Sequence, residues 1–195
     1  PSAAGVTRRV YATVDGSKAC ELFVDNVQGE LLGEAGNAYD AIRYQSGRAI
    51  AALCAEAVGA MRTACDLTLD YLKTRKQFGV PIGKFQVLQH RMVDMFIEHQ
   101  QCVSMTYQVT IRLEEDAVTR KKAASAAKVH IGKAGRFVGQ AATQIHGGMG
   151  VTDELRLGHY FKRATLIDAQ FGNVDHHLRR YTNLAESADV LKAAE

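Results

Sequence analysis

Ile50-Ala51-Ala52-Leu53-Cys54-Ala55-Glu56-Ala57-Val58-Gly59-Ala60-Met61-Arg62-Thr63-Ala64-Cys65-Asp66-Leu67-Thr68-Leu69-Asp70-Tyr71-Leu72 decides the fold. Within it Ile50, Leu53, Ala57, Met61, Ala64, Thr68 and Leu72 recur at steps of three and four, the spacing that lines one face of an α-helix. No proline interrupts the run, and its many alanines favour helix. The stripe predicts a helix from about residue 38 to 74, roughly 55 Å long at 1.5 Å per residue. Gly79 and Pro81 end it. An apolar face of that length is covered only by other long helices.

Outward from this stretch the helical period persists. A second helix is expected over about 85–114, with Leu88, Met92, Met95, Phe96, Val103 and Tyr107 inward. A third is expected over about 117–145, with Ala124, Ala127, Ile131, Ala134, Val138, Ala141 and Ile145 in register. The small side chains of the third imply close helix packing, and Gly147, Gly148 and Gly150 break it. Shorter helices follow at about 153–168 and 174–193. Long antiparallel helices on short connections predict an all-α, up-and-down four-helix bundle. Ahead of them, Arg9–Val14 and Cys20–Val24 have strand character around an Asp15-Gly16-Ser17 turn. A lone hairpin is marginal in water. Residues 1–36 are therefore expected to be the remnant of a larger β-domain and its linker, and residues 37–195 the helical domain.

Composition narrows the function classes. With 47% hydrophobic and 23% charged residues, the 195-residue chain can bury a sizeable core. A net charge of +3, from 24 basic and 21 acidic residues, demands no nucleic-acid partner. The basic groups Arg120-Lys121-Lys122, Lys162-Arg163 and Arg179-Arg180 are diluted by Glu114, Glu115, Asp116 and Asp175. No apolar run approaches the ~20 residues of a membrane span. Cys54, Cys65 and Cys102 fall in apolar helical surroundings and, like Cys20, form no Cys-x-x-Cys pair. Reduced thiols and a cytoplasmic setting are expected. Adjacent His176 and His177 diverge by about 100° on a helix, and His90 and His99 lack a third ligand, so no metal is expected. No serine or cysteine sits in a nucleophile motif. The chain opens at Pro1 rather than methionine, as a processed or truncated product would.

Two clusters offer chemistry. Arg75-Lys76-Gln77-Phe78-Gly79-Val80-Pro81 reads as a helix end whose cations suit the dipole, followed by a glycine cap. The same residues offer a guanidinium for phosphate, an amide for a base edge and an aromatic ring for packing. Gln144-Ile145-His146-Gly147-Gly148-Met149-Gly150 reads as a helix C-cap, and equally as a bend bare of side chains where a ligand or backbone can approach. It is not a nucleotide-binding glycine fingerprint, because no strand precedes it.

Taken together, in this order and some seventy residues apart, the clusters resemble the acyl-CoA dehydrogenase family. That family carries an Arg-x-x-Phe-Gly helix end, then a Phe-Gln step (Phe85-Gln86 here), and later a Gln-x-x-Gly-Gly-x-Gly loop. The likeness runs over about residues 5–185. It implies a carboxy-terminal bundle that forms the core of an oligomer, either a homodimer or homotetramer or a heterotetramer with a base-bearing homologue. It further implies FAD shared with a neighbouring subunit, an acyl-CoA substrate oxidised across its α,β bond, and an electron-transfer acceptor. By match, Arg75 reaches the FAD pyrophosphate, Gln77 and Phe78 border the same dinucleotide, and Gln144, Gly147 and Gly148 meet its adenosine side. Most of the family's middle domain is absent from these residues, so the piece by itself is expected to be oligomeric and to retain no flavin.

The family's enzymes remove the α-proton with a glutamate. In most members it precedes a glycine beyond the helix after the glycine loop. Here Asp168-Ala169-Gln170-Phe171-Gly172-Asn173 puts Phe171 at that position. A minority of members carry the base on the first long helix, near Ala49 here. Neither residue accepts a proton, so no catalytic residue is assigned. Asp168, acting from a shifted loop, is the alternative base. Asn173 and Asp175 stand where the family holds flavin with a threonine and a glutamine. Two classes of function follow: a base-less subunit of a fatty- or steroid-acyl-CoA dehydrogenase, or a helical interaction module without flavin.

Overall fold

The computed structural model describes residues 3–193, with side-chain surroundings through residue 185, so Pro1 lies outside it. The chain divides into two compact units, residues 1–45 and 46–195. In the first, strands β1 (Val6–Ala12) and β2 (Lys18–Val24) pair antiparallel, with Val6 opposite Val24 and Ala12 opposite Lys18. The Asp15 carboxylate ties the turn by accepting from the Ser17 amide at 3.0 Å and the Thr13 hydroxyl at 2.5 Å. Val10, Tyr11, Leu22, Phe23 and Val24 all remain exposed.

Helix α1 spans Tyr39–Thr74 and buries Ile50, Ala57, Met61, Ala64, Thr68 and Leu72 along the expected stripe. Thr68 is tolerated there because its hydroxyl donates to the Ala64 carbonyl at 2.7 Å. A two-residue hairpin, β3 (Lys76–Gln77) with β4 (Val80–Pro81), leads into α2 (Gln86–Ile111). Helix α3 (Ala117–His146) starts at Asp116, whose carboxylate accepts from the Val118 and Thr119 amides at 2.8 and 3.1 Å. Helices α4 (Leu157–Ala169) and α5 (Val174–Ala193) complete the unit.

Contacts fix the directions. Cys65 of α1 meets Met95 of α2, and Leu72 lies against Gly83, so α1 and α2 are antiparallel. Along α3, Gly139 faces Phe161, Gly135 faces Ala164, Gly132 faces both Asp168 and Val174, and Ser125 faces His177. Helices α4 and α5 thus follow one another down the same side of α3. They form one antiparallel column broken at residues 170–173, which is how five helices make a four-column bundle. Alanines and glycines on α3 permit the close approach, since a β-carbon at Gly139 would overlap the Phe161 ring. Arg163 of α4 grips Glu56 of α1 with two guanidinium nitrogens.

The inward face of α2 differs from the expected one. Met95, His99, Cys102 and Val109 are its buried residues, Leu88 and Met92 pack partly, and Phe96 and Tyr107 are 54% and 67% exposed. At about 100° per residue, Phe96 and Tyr107 lie roughly 100° and 120° around the helix from Met95. The helix carries two apolar stripes, and the inner one includes a histidine that apolar periodicity does not count. Burial pushes the Cys54, Cys65 and Cys102 thiols up to about 11, 11 and 12, as inert core groups. Among the described residues no helix is long and apolar enough to cross a membrane, and no three His, Cys, Asp or Glu side chains group as metal ligands.

Candidate cofactor-binding site

The two sequence clusters share one end of the bundle, because a ring stack joins them. Tyr71 of α1 and the buried His146 of α3 stack with centroids 4.4 Å apart, and the Tyr71 hydroxyl reaches the His146 carbonyl at 3.5 Å. The His146 Nδ1 lies 2.9 Å from the Ala142 carbonyl, which holds the ring against its own helix. Arg75 follows Tyr71 by one helical turn, and Gln144 precedes His146 by two residues.

The Arg75 amide still bonds back to the Tyr71 carbonyl at 2.8 Å, while its own carbonyl accepts from the Ile82 amide at 2.8 Å. Between these, Phe78 (φ 53°) and Gly79 (φ 82°) form a two-residue hairpin turn with both centres left-handed. Glycine adopts that shape freely, whereas a phenylalanine there costs about 1 kcal/mol. Phe78 is 89% exposed, touched edge-on by Phe85 at 6.0 Å. The side chains of Arg75 and Gln77 are exposed and make no hydrogen bond to the described residues. Burial gains nothing from this arrangement, and strain opposes it.

The glycine bend forms a short 3-10 turn, Gly147–Val151. Gly147 (φ 60°, ψ −136°) occupies backbone space closed to other residues, and a β-carbon at the buried Gly150 would overlap the Thr143 carbonyl. Gly148 is different: it is exposed, its φ is ordinary and no atom lies within 4 Å of its absent β-carbon. The fold does not need a glycine there. The Gln144 side chain, also exposed and without a hydrogen bond to the described residues, lines an open groove of about 500 Å³ with Gln140, Thr143, Gly147, Gly148, Val151 and Phe161. Gln140 also borders a cavity of about 400 Å³ that continues past Arg136 to Gly132, Asp168 and Asn173. Gly132, Arg136, Gln140 and Gln144 are spaced by four, so they run as a strip along α3. The sequence signal for Arg136 and Gln140 is this four-residue ladder along α3, not a motif.

At the position expected for a base, Phe171 sits in the break between α4 and α5 with φ 55° and its side chain 54% exposed. Asp168, in the last turn of α4, is 7% exposed. One carboxylate oxygen takes the Arg136 guanidinium at 3.3 Å, and the other is buried against Gly132 without a hydrogen bond. A carboxylate so enclosed and already paired is a poor candidate to meet a substrate carbon. Ala49 lies half-buried on α1. Beneath the break, the Lys128 ammonium is 1% exposed and donates to the carbonyls of Ile167, Asp168 and Gln170 at 2.5, 3.1 and 2.9 Å. Burial pulls the pKa of this group below the ordinary lysine range, against the pull of Cys54 and Asp168.

Comparison with known proteins places this architecture. The family of the acyl-CoA dehydrogenase C-terminal domain matches residues 39–182. The acyl-CoA dehydrogenase IpdE2 of Mycolicibacterium smegmatis is 35% identical over 128 residues, covering 66% of this chain and 39% of that protein. The solved Tcur3481-Tcur3483 steroid ACAD G363A variant superposes with a TM-score of 0.88 at 29% identity, over 97% of this chain and 51% of that one. The ChsE4-ChsE5 complex from Mycobacterium tuberculosis shares the fold, with a TM-score of 0.85 at 24% identity over 93% of this chain and 49% of that one. The chain thus spans about half or less of each of these relatives. Its broken four-column bundle, with an arginine-phenylalanine hairpin and a glycine bend at one end, belongs to the acyl-CoA dehydrogenase family, of which it is the C-terminal helical domain.

Proposed function

We propose that this chain serves an FAD-dependent acyl-CoA dehydrogenase by holding part of the flavin dinucleotide of a neighbouring subunit, and that it brings no catalytic base of its own. The observation that carries the reading is Gly148: an exposed glycine that the fold does not require, facing an open groove. Arg75 would meet the pyrophosphate with a charge-assisted bond, and Gln77 and Phe78 would flank it. Gln144, Gly147 and Gly148 would lie against the adenosine side. When bound, FAD supplies the hydride acceptor for the substrate β-carbon, chemistry that no side chain supplies.

The outer stripe of α2, with Val93, Phe96, Tyr107 and Ile111 exposed, supports oligomer formation. We assign it to a homologous subunit, which would carry the missing base. Two of the solved relatives are named as pairs of chains, the Tcur3481-Tcur3483 variant and the ChsE4-ChsE5 complex. The uncovered hairpin of the first unit fits the edge of a flavin-family β-domain.

The test uses the full-length protein with whichever homologous subunit co-purifies, scored by flavin retained. Arg75→Met should weaken FAD binding roughly ten- to a hundredfold, the worth of one bond to a charged group. Gly148→Val should weaken it comparably while leaving the melting temperature unchanged. Phe78→Gly should release about 1 kcal/mol of backbone strain and still lose flavin. Unchanged flavin content in all three variants would overturn the assignment.

A further inference from the structure

The helix break that carries residue 171 is held by side chains from below, not by its own hydrogen bonds alone. Lys128 has three N–H donors, and each meets a carbonyl at the end of α4: Ile167, Asp168 and Gln170. The next carbonyl, that of Phe171, is met by His177 Nε2 at 3.0 Å. His177 Nδ1 in turn lies 3.3 Å from the Ser125 hydroxyl. Ser125 and Lys128 are three residues apart on α3 and so share a face. Lys128, Ser125 and His177 are each 1% exposed or less. A cation at a helix C-terminus offsets the dipole, but a lysine kept fully from water to do so is costly unless every donor is met.

We propose that Lys128, with His177 and Ser125, is the positioning residue that fixes the backbone at position 171, so that the side chain there leaves α4 at one angle. Four of the five carbonyls from Ile167 to Phe171 are thereby tied to α3 and α5. The backbone at 171 is left-handed (φ 55°) in a non-glycine residue, a conformation that needs outside support. The proposal rests on the reading above only in taking 171 as the family's base position; the clamp itself is a statement about geometry.

The test is amide hydrogen exchange on the folded full-length protein. Lys128→Met keeps length and apolar bulk while removing all three donors. Exchange at amides 170–177 should accelerate at least tenfold, while amides 131–142 of α3 stay within about twofold of the parent. A clamp that only added bulk stability would speed both regions alike, and that result, or no change at 170–177, overturns the proposal. If Lys128→Met fails to fold, Ser125→Ala, which frees the His177 ring, is read by the same two windows with the same expected contrast. Neither readout involves flavin or turnover, so failure here and failure of the base-position reading are separate outcomes.

Discussion

Placing glutamate at position 171 of the full-length protein should create acyl-CoA dehydrogenation where the parent, assayed without a homologous subunit, has little. A positioned general base contributes roughly 10²–10⁴-fold, so Phe171→Glu should raise turnover by at least about a hundredfold. The change should fold without difficulty. Residue 171 is already left-handed with phenylalanine in place, so glutamate adds no new backbone strain, and a half-exposed side chain needs no repacking. Phe171→Gln is the control, with the same size and no base, and it should leave turnover at the parent level. Full turnover by the parent alone would show that its base lies elsewhere, and Asp168→Asn would then decide whether Asp168 supplies it.

Acid should weaken the helical unit through His177, and by an unusual amount for one side chain. The ring is fully buried between α3 and the break. Burial, chiefly, pushes its pKa down to about 4, helped by Lys128, His176 and Arg180 and opposed by the Phe171 carbonyl. The unfolded ring takes up its proton near pH 6.5, whereas the folded one resists until about pH 4. Stability is therefore flat with respect to this group above about pH 6.5 and falls between pH 6.5 and 4, by about 3 kcal/mol in total. Denaturant midpoints at pH 7.5 and 4.5 measure it, with His177→Gln as the reference. The variant should be weaker at neutral pH but lose less on acidification. Equal losses in parent and variant would mean that His177 does not couple folding to protons. His99, whose pKa is also lowered chiefly by burial, adds to the slope of both proteins alike.

Much of the fold is written locally. The α1 and α3 stripes are single-period patterns of residues facing one way, and both come out buried as spaced except at Leu53, which packs partly against the core. Helix α2 was harder, since it serves two apolar surroundings and puts His99 inward where its chain chemistry says outward. The Arg75 and Gln144 clusters are visible in sequence as residue types, but their meeting is not. It depends on Tyr71 stacking on His146, a contact between residues 75 apart that has no local signature. The same holds for Lys128: a lysine amid alanines reads as a solvated helix position until α4 ends on top of it. Its three acceptors lie at the end of another helix and just past it, some forty residues later.

The proposed function has the Arg75 hairpin and the Gln144 bend grip one dinucleotide. A structure of the full-length protein with FAD added tests it most directly. The pyrophosphate should lie within about 3 Å of the Arg75 guanidinium, with Gln144 and Gly148 against the adenosine portion of the same molecule. FAD bound away from this end of the bundle, or touching one cluster with the other facing solvent, would contradict it.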